Sequence, residues 1–319
     1  MQLVVKTTQK CDMNCTFCAA NGCNADVGTL RSDEVVKEAN DFKECTEIIF
    51  LGGEDLTLPP KHYREIIECV RPDIRFDFVT NLKDFYLHPE KWIEIFKNPR
   101  VSVTTSFNYG DTRKWDKDTI YDEAMFRKVM ATFKKYIGYV PPFIAVIDQN
   151  NCDMWRKHIE LAKELGTTCR LNGAFKLGRS GTYFPRSHMF KIWTQIVDEG
   201  LDAYEINSSN RRRGCCPFNT QLICKGTIRV VKKESDGSIK YYNCDDEANR
   251  GRNPKDKLEP ISLDEIQPTV ILKDECYTCP LFRLCNGCEL NATQVEDKEA
   301  YCKEMKSLEE KFYNQGWAL

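Results

Sequence analysis

"KTTQKCDMNCTFC", residues 6–18, is the stretch on which the reading of this chain turns. It places Cys11, Cys15 and Cys18 within eight residues, after the apolar run "LVVKT" (3–7) and before a stretch with no hydrophobic period. A disulfide takes two thiols, and a core needs none in particular, so three together point to a metal or a metal cluster. Gaps of three and two residues can wrap an iron–sulfur cubane, because one extended residue spans about 3.5 Å. Three thiolates leave one iron of a cubane without a protein ligand, and an open position is what chemistry at a metal requires. Structural zinc usually completes four ligands with a second CxxC or with histidines. The four histidines, His62, His88, His158 and His188, are scattered. On the cysteine count alone, iron–sulfur and zinc both stay open.

The rest of the composition narrows the class. The chain has 319 residues, 29% charged and 41% hydrophobic, the balance of a soluble globular protein with a sizeable core. A net charge of −2 argues against a surface that coats nucleic acid, with "RRR" (211–213) as a local exception. No apolar run approaches the roughly 20 residues of a membrane span, and "MQLVVKTTQK" lacks a secretory core. A cytoplasmic protein is expected. Seventeen cysteines are then the anomaly, since clustered thiols in a reducing compartment are more often ligands than disulfides. Cys45, Cys69 and Cys169 stand alone in helix- or strand-like text and read as small buried hydrophobes; Cys23 and Cys152 are also assigned structural roles.

From residue 2 to about 199, strand-like and helical text alternates. Strands are expected at 3–7, 47–51, 74–80, 101–107, 143–148 and 167–175, each rich in β-branched or aromatic residues. The clearest helix, 121–137, sets Phe126, Val129, Met130, Phe133 and Ile137 on one face. Another starts at Ser32, expected as its N-cap, and a third at "LPPKHYREIIECV". Six strand–helix units imply an α/β fold with a parallel sheet, open or barrel-like, whose active site lies at the C-terminal ends of its strands. Beyond about residue 203 the text changes: nine of the seventeen cysteines lie there, with a β-hairpin turning at "SDGS" (235–238) and a charged helix at 297–315.

"CDMNCTFC" resembles the CxxxCxxC signature of the radical S-adenosylmethionine (SAM) superfamily, with an aromatic residue, Phe17, before the last cysteine. "EIIFLGGED" supplies Gly52, Gly53 and Glu54 where that family has its second-strand GGE motif. "FVTN", with Thr80, resembles its third-strand ending; "SFNYG" makes Ser106 a candidate for the SAM ribose or carboxylate; "LGRSG" (177–181) resembles the turn after its sixth strand. The resemblance implies a partial (β/α)6 parallel barrel over residues 1–200. It also implies a [4Fe–4S] cluster on Cys11, Cys15 and Cys18, with SAM on the open iron. Gly52 and Gly53 would let the backbone approach the amino group of SAM, with Glu54 in support.

The C-terminal block "CYTCPLFRLCNGC" resembles the SPASM extension of that superfamily, expected as a small cysteine-rich α+β domain over 201–319 that includes the hairpin. Its spacing has two residues, where three are usual, between Cys285 and Cys288. By family topology one auxiliary [4Fe–4S] cluster takes Cys216 (or Cys215), Cys224, Cys244 and Cys288, and the other takes Cys276, Cys279, Cys285 and Cys302. Three clusters are thus expected in all. A pair of zinc knuckles is the alternative on spacing alone. Asp245 stands where peptide-oxidising members have a base.

The resemblance implies reductive cleavage of SAM to a 5′-deoxyadenosyl radical, with a flavodoxin or ferredoxin as electron donor. The leading substrate class is a peptide or protein side chain. The alternatives are radical rearrangement or epimerisation of a small metabolite or a modified nucleoside or DNA base, and, in another class, a non-catalytic zinc protein that binds nucleic acid. With the cysteine loop starting at residue 11, no leader-recognition domain is expected ahead of it.

Overall fold

Strand Gln2–Lys6 (β1) runs between two parallel neighbours, and the loop that leaves its C-terminal end holds the three cysteines. The structure is a computed structural model, and it describes residues 2–18, 28–174, 179, 184, 186–208, 228–242, 303, 306 and 307. After β1 come α1 (Ser32–Asp41), β2 (Glu47–Phe50), α2 (Pro60–Cys69), β3 (Arg75–Val79) and the short α3 (Lys83–Leu87) and α4 (Ile93–Phe96). Then follow β4 (Val101–Ser106), α5 (Glu123–Ile137), β5 (Phe143–Ile147), α6 (Trp155–Leu165), β6 (Cys169–Gly173), α7 (Arg186–Asp198), β7 (Ile228–Lys233) and β8 (Ile239–Tyr242). The described residues form two units. One comprises the residues up to 144 together with 179 and 228–242; the other begins at 145 and includes β6 and α7.

In the first unit the strand order is β5-β4-β3-β2-β1-β7-β8, parallel throughout except for the antiparallel β7–β8 hairpin. The two faces of its sheet differ. Leu3, Val5, Ile48, Phe50, Phe76, Phe78 and Val103 are buried under the helices. Phe78 meets Phe50 at 4.7 Å, Tyr63 of α2 at 5.0 Å and Phe96 of α4 at 5.4 Å between ring centroids. Burying such a ring stabilises by about 1.5–3 kcal/mol, so this aromatic layer holds α2, α4 and the sheet together. Ile49, Asp77, Val79, Thr104 and Ser106 alternate onto the opposite, half-exposed face. In the second unit Ala174 donates its N–H to the carbonyl of Ile147 (2.8 Å), which sets β6 beside the end of β5.

The six expected strands and the hairpin form within a residue or two of their expected bounds. Two expectations need correction. Ser32 is the first helical residue of α1 and not its cap: Arg31 is the N-cap, Glu34 accepts the Arg31 N–H (2.8 Å), and the Ser32 hydroxyl donates to Glu65 of α2 (2.6 Å). Cys45 and Cys169 are buried, but Cys69 is exposed. At about 100° per residue, Cys69 falls on the opposite side of α2 from Ile67, which packs inward.

Candidate active site

The turn after β2 and the segment after β1 touch through bare backbone. Gly53 donates its N–H to the carbonyl of Thr8 (2.9 Å), and Glu54 donates its own to that of Lys10 (2.7 Å). A Cβ on Gly52 would overlap the Thr8 oxygen, and one on Gly53 would overlap the oxygens of both Gln9 and Lys10. No side chain fits there. The two glycines hold the root of the cysteine loop.

Glu54, 1% exposed, extends the same junction to the end of β3. Its carboxylate accepts from the Thr80 hydroxyl, from the Asn81 N–H (2.6 Å) and from the Leu56 N–H (3.2 Å). Burial, with the Asp12 charge adding to it, pushes the Glu54 carboxyl up to about 8 against the pull of those donors. Thr80 is therefore occupied by Glu54, and its oxygen also accepts the Leu82 N–H (3.0 Å). Leu82 has φ +61°, the left-handed region that a leucine enters only under constraint from its surroundings. Asn81 reaches back to the cysteine loop, its Nδ2 2.8 Å from Asp12 Oδ1 and 3.8 Å from Cys11 Sγ. The Lys83 ammonium donates to the carbonyls of Asp12 (2.8 Å) and Trp115 (2.5 Å).

The far side of the loop is fastened as firmly. Asn14 and Thr16 donate their N–H groups to the carbonyls of Lys114 (3.1 Å) and Thr112 (2.9 Å), on the segment that follows β4. Arg179 donates its N–H to the Cys18 carbonyl (2.9 Å) and its guanidinium to Asn14 Oδ1 (2.6 Å). Phe17 lies 5.2 Å from the guanidinium of buried Arg113, and Met13 is buried. Within this frame Cys11, Cys15 and Cys18 are half-exposed and form no disulfide. Burial, reinforced by the Glu54 charge, pushes the Cys11 thiol up, and the Met13 N–H on its sulfur opposes that. Ser106 ends β4, half-exposed on the face away from the helices.

Among the described residues, no three His, Cys, Asp or Glu side chains converge on a point that could hold one metal ion. A cubane spreads its thiolates over separate irons, so its ligands need not converge. Three half-exposed thiols on one loop, held by backbone from the turn after β2 and the segment after β4 and by the Asn81 and Lys83 side chains after β3, suit that shape. Asn81, Asp12, Lys83 and Arg179 were not picked out as site residues by the sequence; Asn81 lies within "FVTN" and Arg179 within "LGRSG", but nothing in those motifs shows which side chain reaches the loop. Cys215, Cys216, Cys224, Cys244, Asp245, Cys276, Cys279, Cys285, Cys288 and Cys302 lie outside the described residues, as does the "RRR" at 211–213.

Residues 5–162 match the profile of the Radical SAM superfamily. They form a radical SAM domain. The whole chain resembles the solved structure of hexahistidine-tagged anSMEcpe with bound AdoMet, at a TM-score of 0.68 and 18% identity over 98% of both chains. Native anSMEcpe with bound AdoMet and the Cp18Cys peptide aligns at 0.66 and 18% over 98% of this chain and 97% of that one. Streptococcus suis SuiB bound to its precursor peptide SuiA aligns at 0.58 and 14%, over 93% of this chain and 73% of that one. At these identities the likeness establishes a shared fold. No curated protein sequence matches. The radical SAM family implies a [4Fe–4S] cluster and SAM, and the cysteine loop has the donor set for that cluster. Among the described residues, no helix is long and apolar enough to cross a membrane.

Proposed function

We propose that this chain is a radical SAM enzyme that modifies a peptide or protein side chain by crosslinking, epimerisation or oxidation, with Cys11, Cys15 and Cys18 holding its [4Fe–4S] cluster. The observation that carries this reading is the three-thiol loop locked by backbone onto the Gly52-Gly53-Glu54 turn, inside a radical SAM domain. When bound, the cluster and SAM supply one-electron cleavage of a sulfonium C–S bond, giving methionine and a 5′-deoxyadenosyl radical that takes a hydrogen atom from substrate.

The chain's own residues bind and orient. The junction at Gly52 and Gly53 keeps the loop at the strand ends, and Glu54 and Thr80 hold the turn's shape. Phe17, stacked on Arg113, backs the loop beside Cys18, and Ser106, at the end of β4, meets the ribose or carboxylate of SAM. Residues 201–319 serve as a SPASM-type extension with two auxiliary clusters on the cysteines assigned above, and Asp245 acts as the base. The division near residue 200 is functional rather than a clean break in fold, since β7 pairs with β1. A flavodoxin or ferredoxin supplies the electron. A peptide substrate is favoured because anSMEcpe and SuiB, which share the fold, were each solved with a peptide.

Anaerobically reconstituted protein should release 5′-deoxyadenosine from SAM on reduction, and Cys15→Ala should abolish that release. A chain that takes up only zinc, or a Cys15→Ala variant that still cleaves SAM, overturns the reading.

A further inference from the structure

The side chain of Asn81 is held at both ends. Its Oδ1 accepts the Lys83 N–H (2.7 Å), and its Nδ2 donates to Asp12 Oδ1 (2.8 Å), so the carboxamide cannot turn over without setting donor against donor and acceptor against acceptor. The Asn81 main-chain N–H is anchored on Glu54 (2.6 Å), and the residue is 6% exposed. Asp12 in turn has its carbonyl pinned by the Lys83 ammonium at 2.8 Å. In this fixed pose the amide nitrogen lies 3.8 Å from Cys11 Sγ, where the Met13 N–H also points, at 3.4 Å. An amide NH2 has two hydrogens, so donation to Asp12 leaves one for the sulfur.

We infer that Asn81 is a positioning residue that hydrogen-bonds the sulfur of Cys11 and thereby sets the reduction potential of the cluster held by this loop. The inference rests on the cluster assignment proposed above. A donor on a ligand sulfur stabilises the reduced cluster, which carries one more negative charge, more than the oxidised one. Burial sharpens the effect, because little water is present to replace a lost donor. The same amide also turns the Asp12 carboxylate toward itself, so losing it removes a donor from the sulfur and frees a negative charge nearby. Both changes disfavour reduction.

The test is a reductive titration of the full chain, followed through the EPR signal that SAM perturbs and that is missing from Cys15→Ala. In Asn81→Ala the ratio of reduced to oxidised cluster at a fixed solution potential should fall about tenfold, a shift of about 59 mV for one electron. Asn81→Asp, which keeps the acceptor for Lys83 but faces the sulfur with an oxygen, should fall further. If the Asn81 variants fail to keep iron, wild-type protein carrying side-chain 15N-asparagine decides the matter: a 15N coupling to the reduced cluster in pulsed EPR is expected, and its absence overturns the contact with the sulfur. Unchanged potentials in variants with wild-type iron content overturn the role of Asn81 and leave the cluster assignment standing. Wild-type protein without any iron–sulfur signal overturns both.

Discussion

Gly52 and Gly53 show how closely one residue type can be tied to a site. At each of them a Cβ would run into a carbonyl oxygen of residues 8–10, and those oxygens belong to backbone that cannot step aside. Gly52→Ala is expected to destabilise by about 1–3 kcal/mol, the usual cost of overpacking, and to lower the iron retained after reconstitution. Melting temperature and iron analysis check both. Asp55, fully buried beside them, accepts from the Thr7 hydroxyl and from Tyr63 Oη (3.1 Å). Burial pushes its carboxyl up to about 7 from an ordinary value of 3.8, against those donors. A carboxyl raised in the folded state binds more protons there than when unfolded, so stability should decline as pH rises from about 4 to about 7, by up to about 1.4 kcal/mol per unit. Melting curves over that range should show a shallower decline for Asp55→Asn than for wild type. The GGED stretch was legible as a motif. That its glycines admit the close approach of residues 8–10, and that its Asp is a buried acid, depends on neighbours far away in sequence.

Among the elements, α5 has the fullest set of local signals. Asp122 caps it by accepting the Met125 N–H (2.8 Å), and Gly138 ends it at φ +103°. Phe126, Val129, Met130 and Phe133 form its buried stripe, with Phe126 stacked 4.5 Å from Phe107 after β4. Asp122→Ala should cost about 1 kcal/mol, visible as faster amide exchange in the first turn of α5. Such elements were legible because their signals are local: helix-face spacing, a cap, a run of β-branched and aromatic residues. Strand ends were less so. The readings ran to Thr7 and Thr80, but the chain leaves the ladder at Lys6 and Val79, where Thr7 and Thr80 turn their hydroxyls to Asp55 and Glu54. Polar needs of the site override strand propensity at those positions.

At the scale of the molecule, three thiols in the first loop and eight of the nine cysteines after residue 203 form separate ligand sets under the proposed function. A triple Cys11→Ala, Cys15→Ala, Cys18→Ala chain should keep about eight of about twelve irons; loss of all iron would merge the two sets into one folding unit. Six strands of a parallel sheet were legible, though not their order. The pairing of β7 with β1 was not, because a parallel ladder between segments so far apart leaves no turn signature between them. That ladder has a consequence for how the protein is made. Gln2 lies opposite Ile228 and Lys6 opposite Lys232, so one edge of the first strand stays bare until translation has passed Lys233. An open strand edge offers unpaired amides and carbonyls to any nascent neighbour. Polypeptides released early, before Ile228, should therefore clump on or near the ribosome, with the thiols of Cys11, Cys15 and Cys18 close to the adhesive edge.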